Sequence, residues 1–111
     1  MITSNNYFEC PLTSAMEIIG GKWKIVILGN LFTGVKRFGE LKKLMPGITQ
    51  KMLTQQLREL EQDGLLHREI YKEIPPKVEY SLTENGKSLE PILKELCTWG
   101  LRLIETKRTS K

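Results

Sequence analysis

One histidine and two cysteines are all that this 111-residue chain offers toward metal centres, disulfide frameworks or thiol–imidazole catalysis. His67 alone cannot build a multi-histidine metal cluster within one chain, and no nucleophile motif accompanies it, so it is expected on a strand surface. Cys10 and Cys97 are too few to staple a small secreted domain. The opening stretch from Met1 to Asn6 is polar and lacks the apolar segment of a signal peptide. No apolar run approaches the length of a membrane span. The expected setting is therefore the reducing cytoplasm, with no cofactor and no membrane association. Gly86-Lys87-Ser88 imitates the end of a phosphate-binding loop, but Ser81 stands where the first glycine must be. Nothing in the chain points to an enzyme.

What is present is an ordinary globular composition, 40% hydrophobic and 27% charged, which excludes a disordered chain. The length allows one domain over residues 1–111, with a modest core and some apolar surface left for a partner subunit. The net charge of +4 is unevenly placed. Lys22 to Lys77 holds eleven basic and six acidic residues, whereas the remainder holds six and seven. Leu41 to Arg58 contains Lys42, Lys43, Lys51 and Arg58 and no carboxylate. Nucleic acid suits such a map, because each neutralised phosphate releases counterions. Charge alone leaves a solvated basic face equally open.

Periodicity divides the chain into helices and a hairpin. Leu12 to Ile19 reads as a first helix, broken by Gly20-Gly21. Lys22 to Leu31 reads as a second, with Trp23, Ile27 and Leu31 at steps of four. Phe32 to Lys36 is a turn or short strand. Phe38 to Met45 forms a third helix on Phe38, Leu41, Leu44 and Met45, and Pro46-Gly47 ends it. Thr49 then caps a fourth helix carrying Leu53, Leu57 and Leu60, with Ile48 as a hydrophobic staple and Gly64 as its stop. Two helices joined by a Pro-Gly-Ile turn, the second strongly amphipathic, make a helix-turn-helix. Beyond Gly64 the period falls to two: Leu66–Tyr71 and Val78–Leu82 read as strands joined across Pro75-Pro76. A basic hairpin directly behind a helix-turn-helix is a wing. Thr83 caps a last helical region with Leu89, Ile92, Leu93, Leu96, Trp99, Leu103 and Ile104 on its stripe. There Pro91 demands either a kink or a fresh start capped by Ser88. The tail from Glu105 to Lys111 is polar and expected to fray. The fold class is mainly α with a small β-hairpin.

The chemistry falls on the fourth helix. With Leu53, Leu57 and Leu60 inward, Lys51, Gln55 and Arg58 lie on the opposite side, Thr54 beside them and Gln50 in the first turn. Arg and Lys suit guanine acceptors, Gln suits adenine, and Thr suits either or a methyl group. Glu59, Glu61 and Asp63 gather at the far end, where they oppose the helix macrodipole, so their position favours a DNA role over helix stability. Arg68, Lys72 and Lys77 on the wing are candidate phosphate contacts, which position a protein without specifying sequence. Lys42 and Lys43 are weaker candidates. Cys97, beside Leu93 and Leu96, reads as a small buried residue.

Cys10-Pro11, Gly20-Gly21-Lys22-Trp23, Arg37-Phe38, Gly47-Ile48-Thr49-Gln50-Lys51-Met52-Leu53, Leu57-Arg58-Glu59-Leu60-Glu61, Asp63-Gly64, Pro75-Pro76-Lys77-Val78-Glu79-Tyr80, Leu82-Thr83 and Trp99-Gly100 resemble, in order, the HxlR family of winged helix-turn-helix regulators, relatives of the MarR group. The resemblance implies a sequence-specific regulator of transcription, a repressor in the first instance, binding double-stranded DNA as a homodimer. It implies a recognition helix matching Thr49 to Asp63 and a wing matching Leu66 to Leu82. It also implies a subunit interface formed by the first and last helices, to which Trp23, Ile92, Leu96, Trp99 and Leu103 are assigned. In some members a cysteine in the Cys-Pro context senses oxidants or electrophiles, which makes Cys10 a candidate redox sensor. Two rivals stay open: a winged-helix module that binds an acidic protein, and a regulator with a small-molecule pocket at a Trp23/Trp99 dimer seam. The effector is not legible.

Overall fold

The order of elements in the computed structural model, which describes residues 11–109, is α1 (Pro11–Ile19), α2 (Trp23–Leu31), β1 (Lys36–Arg37), α3 (Phe38–Leu44), α4 (Gln50–Gln62), β2 (Leu66–Tyr71), β3 (Lys77–Leu82), α5 (Glu84–Lys87) and α6 (Glu90–Thr109). The three strands form one antiparallel sheet in the order β1-β3-β2, with Leu66 opposite Leu82 and Lys36 opposite Tyr80. This is a winged helix-turn-helix: α3 and α4 are the motif, and the β2–β3 hairpin is the wing.

The boundaries follow local chemistry. Glu40 accepts a hydrogen bond from the Arg37 N–H at 2.8 Å and so secures the start of α3. The Thr49 hydroxyl accepts from the Met52 N–H at 3.0 Å and caps α4. At the other end of α4, Gly64 has a φ of 79°, which only glycine adopts without strain. Its N–H reaches the Glu61 carbonyl at 3.1 Å, and the Leu65 N–H reaches the Leu60 carbonyl at 3.0 Å. Those two bonds are a Schellman cap. Thr83 then ties this corner to the next one: its hydroxyl donates to the Gly64 carbonyl at 2.6 Å and accepts from the Gly86 N–H at 3.1 Å.

The core gathers Ile27, Leu28 and Leu31 from α2, Leu41 and Met45 from α3 and its cap, and Ile48 before α4. Leu53, Leu57 and Leu60 of α4 fill its centre, and Leu65, Leu66 and Leu82 close it from the wing side. Ile48 and Leu53 sit together there, as a hydrophobic staple requires.

Several expectations are corrected. Leu44 is half exposed, because α3 and its cap turn Phe38, Leu41 and Met45 inward and leave Leu44 on the outer side. Of the two outcomes open at Pro91, the fresh start holds: Pro91 occupies the first turn of a separate α6, where its missing N–H is harmless. Ser88 does not cap that start: α6 begins two residues further on, at Glu90, and the Ser88 hydroxyl donates back to the Asn85 carbonyl at 2.6 Å. The tail does not fray at Glu105: α6 continues to Thr109, with Lys107 and Arg108 complementing the dipole at its C-terminal turn. Cys97 is exposed rather than buried.

The long last helix projects from the body. The radius of gyration is 16.6 Å, against about 13 Å for a compact domain of this length. Leu89 and Leu93 reach the core, but no residue of α6 is fully buried among those whose side chains are described. Ile92, Leu96, Trp99, Leu103 and Ile104 on α6 and Leu12 and Met16 on α1 are all about half exposed.

Candidate nucleic-acid interface

α4 buries Leu53, Leu57 and Leu60 and thereby turns Gln50, Lys51, Gln55 and Arg58 to solvent, with Thr54 partly covered between them. These five residues, with Glu59 and Gln62, line a shallow open groove of about 750 Å³. The sequence expectation for this face is met residue by residue in exposure, although not every side chain is equally free. The Thr49 hydroxyl is engaged as the helix cap, and the Thr54 hydroxyl donates to the Gln50 carbonyl at 2.9 Å. Thr54 therefore offers mainly its methyl group and a lone pair. Lys51 and Arg58 make no ion pair among the described residues, which leaves both charges available to a ligand.

The acids at the far end of α4 have tertiary partners that the sequence did not reveal. Lys24 of α2 is buried, with its ammonium 2.7 Å from Glu59 Oε1. The second carboxylate oxygen of Glu59 accepts from Gln55 Nε2 at 3.2 Å. Hydrogen bonds from Lys24 first and Gln55 second, with the Lys24 charge added, hold the Glu59 carboxyl below its ordinary range. Glu61 pairs with Arg68 of β2 at 3.3 Å and so links α4 to the wing. These acids thus fasten the helix. The signal for Lys24 was its spacing: it stands four and seven residues before Leu28 and Leu31, on the buried stripe of α2, where a lysine needs a partner.

The wing differs more from expectation. Its three basic residues are matched by Glu69, Glu73 and Glu79, so the hairpin from Leu66 to Leu82 is neutral rather than basic. Arg68 is engaged with Glu61. Lys77 lies between Glu79 at 3.9 Å and Glu73 at 4.0 Å, with its ammonium 4.5 Å from the centre of the Tyr71 ring. The Tyr71 hydroxyl hydrogen-bonds Glu79, and that carboxylate holds the phenol above its ordinary value. Lys72 alone of the three is exposed and unpaired among the described residues. Lys42 and Lys43 are exposed on α3. His67 is on the wing surface, 3.2 Å from Glu69.

Between helix and wing, Thr54, Leu57, Arg58, Glu61, Arg68 and Tyr80 enclose a crevice of about 100 Å³. Burial is the main cause that raises the Tyr80 phenol above its ordinary value.

Of the residues assigned to the dimer seam, Ile92, Leu96, Trp99 and Leu103 share the exposed side of α6. Trp23 does not join them freely. It packs partly buried against the core, with the Lys22 ammonium 4.6 Å from its ring centre. Cys10 lies outside the described residues. Among those described, no helix is long and apolar enough to cross a membrane, and no cluster of His, Cys, Asp and Glu could hold a metal ion.

The HxlR-like helix-turn-helix family matches residues 18–108. An uncharacterised HTH-type transcriptional regulator of Bacillus subtilis (strain 168), YdeP, is 56% identical over 98 residues, which are 88% of this chain and 77% of that protein. The crystal structure of the HTH-type regulator ytcD superposes with a TM-score of 0.84 at 58% identity, covering 86% of this chain and 98% of the other. The redox regulator HypR in its oxidised form gives a TM-score of 0.79 at 53% identity, with 84% and 96% covered.

Proposed function

The chain belongs to the HxlR-like helix-turn-helix family and is a DNA-binding regulator of transcription; from that premise we propose that it works as a cytoplasmic homodimer, binds a pseudo-palindromic operator and represses by occupying it. The observation that carries this reading is the exposed, acid-free start of α4, where Gln50, Lys51, Thr54, Gln55 and Arg58 face solvent together. Such side chains suit the edges of bases and the phosphates of a major groove. Lys72 on the wing adds a phosphate contact, with Arg68 and Lys77 in supporting roles and Lys42 and Lys43 near the backbone. The chain acts as one winged-helix unit, by binding and not by catalysis.

The homodimer is supported by the apolar face of α6 and α1. A helix of twenty residues with no fully buried side chain among those described and six large apolar ones exposed is not at rest in water as a monomer. Pairing two such faces would set the recognition helices about 34 Å apart, one turn of DNA. Ile92, Leu96, Trp99 and Leu103 form the centre of that seam, and Trp23 contributes only its uncovered edge.

Selection of bound duplexes from a random pool by the purified protein tests the reading. It should return an inverted repeat, and Arg58→Ala should lose most of the affinity for it while melting as the wild type does. A protein that shows no salt-dependent affinity for any duplex would instead be the interaction module for an acidic partner. Thiol responsiveness is a second reading, favoured by the likeness to a redox regulator solved in an oxidised form. It requires Cys10: diamide treatment should change the mobility of the wild type on a non-reducing gel and leave Cys10→Ser unchanged.

A further inference from the structure

A glutamine amide has two chemically opposite ends, and a base-reading glutamine is selective only if one end is fixed. In this protein the end is fixed. A carboxylate can only accept hydrogen bonds, so the contact of 3.2 Å to Glu59 Oε2 commits Gln55 Nε2 to Glu59. Oε1 of Gln55 is then the outward end, accompanied by the remaining Nε2 hydrogen. Glu59 is in turn held in place by the buried Lys24, 2.7 Å from its other oxygen. Lys24 has a side chain 9% exposed and sits in the floor between α2 and α4, beyond the reach of a groove contact.

We propose that Lys24, acting through Glu59, is a specificity-determining positioning residue that fixes the amide of Gln55 for a base presenting an exocyclic amino group in the major groove, adenine above all. Adenine fits with two bonds, its N6–H to Oε1 and its N7 to the free N–H; cytosine fits with one, from N4. Guanine and thymine offer only acceptors in the major groove; either can take the one free N–H, but the Gln55 carbonyl then finds no donor, so both are disfavoured against adenine. The inference rests on α4 being the helix that enters the major groove. Glu59 is the relay: its carboxyl, held in its charged form by the same two neighbours, stays an obligate acceptor at neutral pH.

The test is sequence selection from a random duplex pool, run in parallel on wild type, Gln55→Ala and Lys24→Met. Comparison of the first two locates the base pair read by Gln55 in each half-site, expected to place adenine or cytosine on the contacted strand. Lys24→Met should lower the preference at that position over guanine about tenfold, toward the Gln55→Ala level, and leave the other positions as they are. In the Lys24→Met/Gln55→Ala double variant, the lysine change should add nothing at that position. Met fills the same space without a charge to bury; should it nevertheless fail to fold, Glu59→Gln keeps the packing and offers Gln55 either end of an amide, with the same expected loss. Unchanged preference in these variants, a loss spread evenly over the whole site, or guanine or thymine at the Gln55 position overturns the inference while leaving operator binding intact. A wild type that selects no sequence overturns both.

Discussion

Replacing the wing lysines one at a time should separate two residues that look equivalent in the sequence. Lys72 is exposed and unpaired, whereas Lys77 is ringed by Glu73, Glu79 and the Tyr71 face, with about a quarter of its side chain exposed. On α4 and the wing, each protomer of the proposed homodimer brings three cations without an ion pair among the described residues, Lys51, Arg58 and Lys72, and the two protomers together bring six. Counterion release at about 0.9 per neutralised phosphate gives a logarithmic salt slope of about −5.4. A fourfold rise in salt should therefore weaken operator binding about 2,000-fold. Lys72→Ala removes two of the six contacts, which flattens the slope by about 2 and cuts that loss to about 150-fold. Lys77→Ala should flatten it by less than half as much, because its charge is already neutralised within the wing. Fluorescence anisotropy on a labelled operator across a salt series reads these slopes directly. Equal flattening by the two substitutions would refute the reasoning, since it would mean that Lys77 leaves its carboxylates for phosphate when DNA arrives.

The other predictions concern assembly and stability. Leu96→Glu places a charge in the exposed stripe of α6 and should halve the mass measured by light scattering; a variant that keeps the wild-type mass would move the seam elsewhere. Gly86→Ala should destabilise the fold by about 2 kcal/mol, because the added Cβ would overlap the Leu65 carbonyl, and wild-type melting would contradict that packing. For pH, the Glu59 carboxyl is held below its ordinary value of 4.5, so its contribution is complete above that value and fades as pH falls through the lowered one. The gap in melting temperature between wild type and Glu59→Gln should accordingly narrow on acidification below about pH 4.5, and a gap that widens would reverse the sign.

How much of this was legible in the sequence depends on how local the determining interaction is. The motif helix was legible because its start, stripe and stop are all written within sixteen residues: Thr49, the three leucines and Gly64. The wing strands were legible from their period, but not the neutralisation of their charges. Arg68 finds Glu61 across the helix–sheet corner, and Lys77 finds Glu79 on its own strand only once the pleat puts both on one face. β1 is two residues long, too short for any period to show, and exists because β3 offers it an edge. Leu44 and Cys97 were assigned to buried stripes that the structure rotates into solvent, since a step of three or four places a residue on a side without saying how wide the covered part is. Lys24 escaped for the opposite reason: a lysine on an apolar stripe reads as an edge residue until its partner, thirty-five positions away, is known.

The two ends of α4 divide the work by charge. Its first two turns hold Lys51, Gln50 and Thr54 and no acid. Beyond Arg58, Glu59 binds α2 through Lys24, Glu61 binds the wing through Arg68, and Thr83 clasps the Gly64 corner. An acid in the first half would repel phosphate, and a lysine in place of Glu59 would meet Lys24 with a like charge. The acids opposing the macrodipole therefore cost the isolated helix a little, and the tertiary ties they make offset that cost. In the proposed role, a helix fastened at its far end would present its near end as a rigid body, with the spacing of its base contacts set before DNA is met.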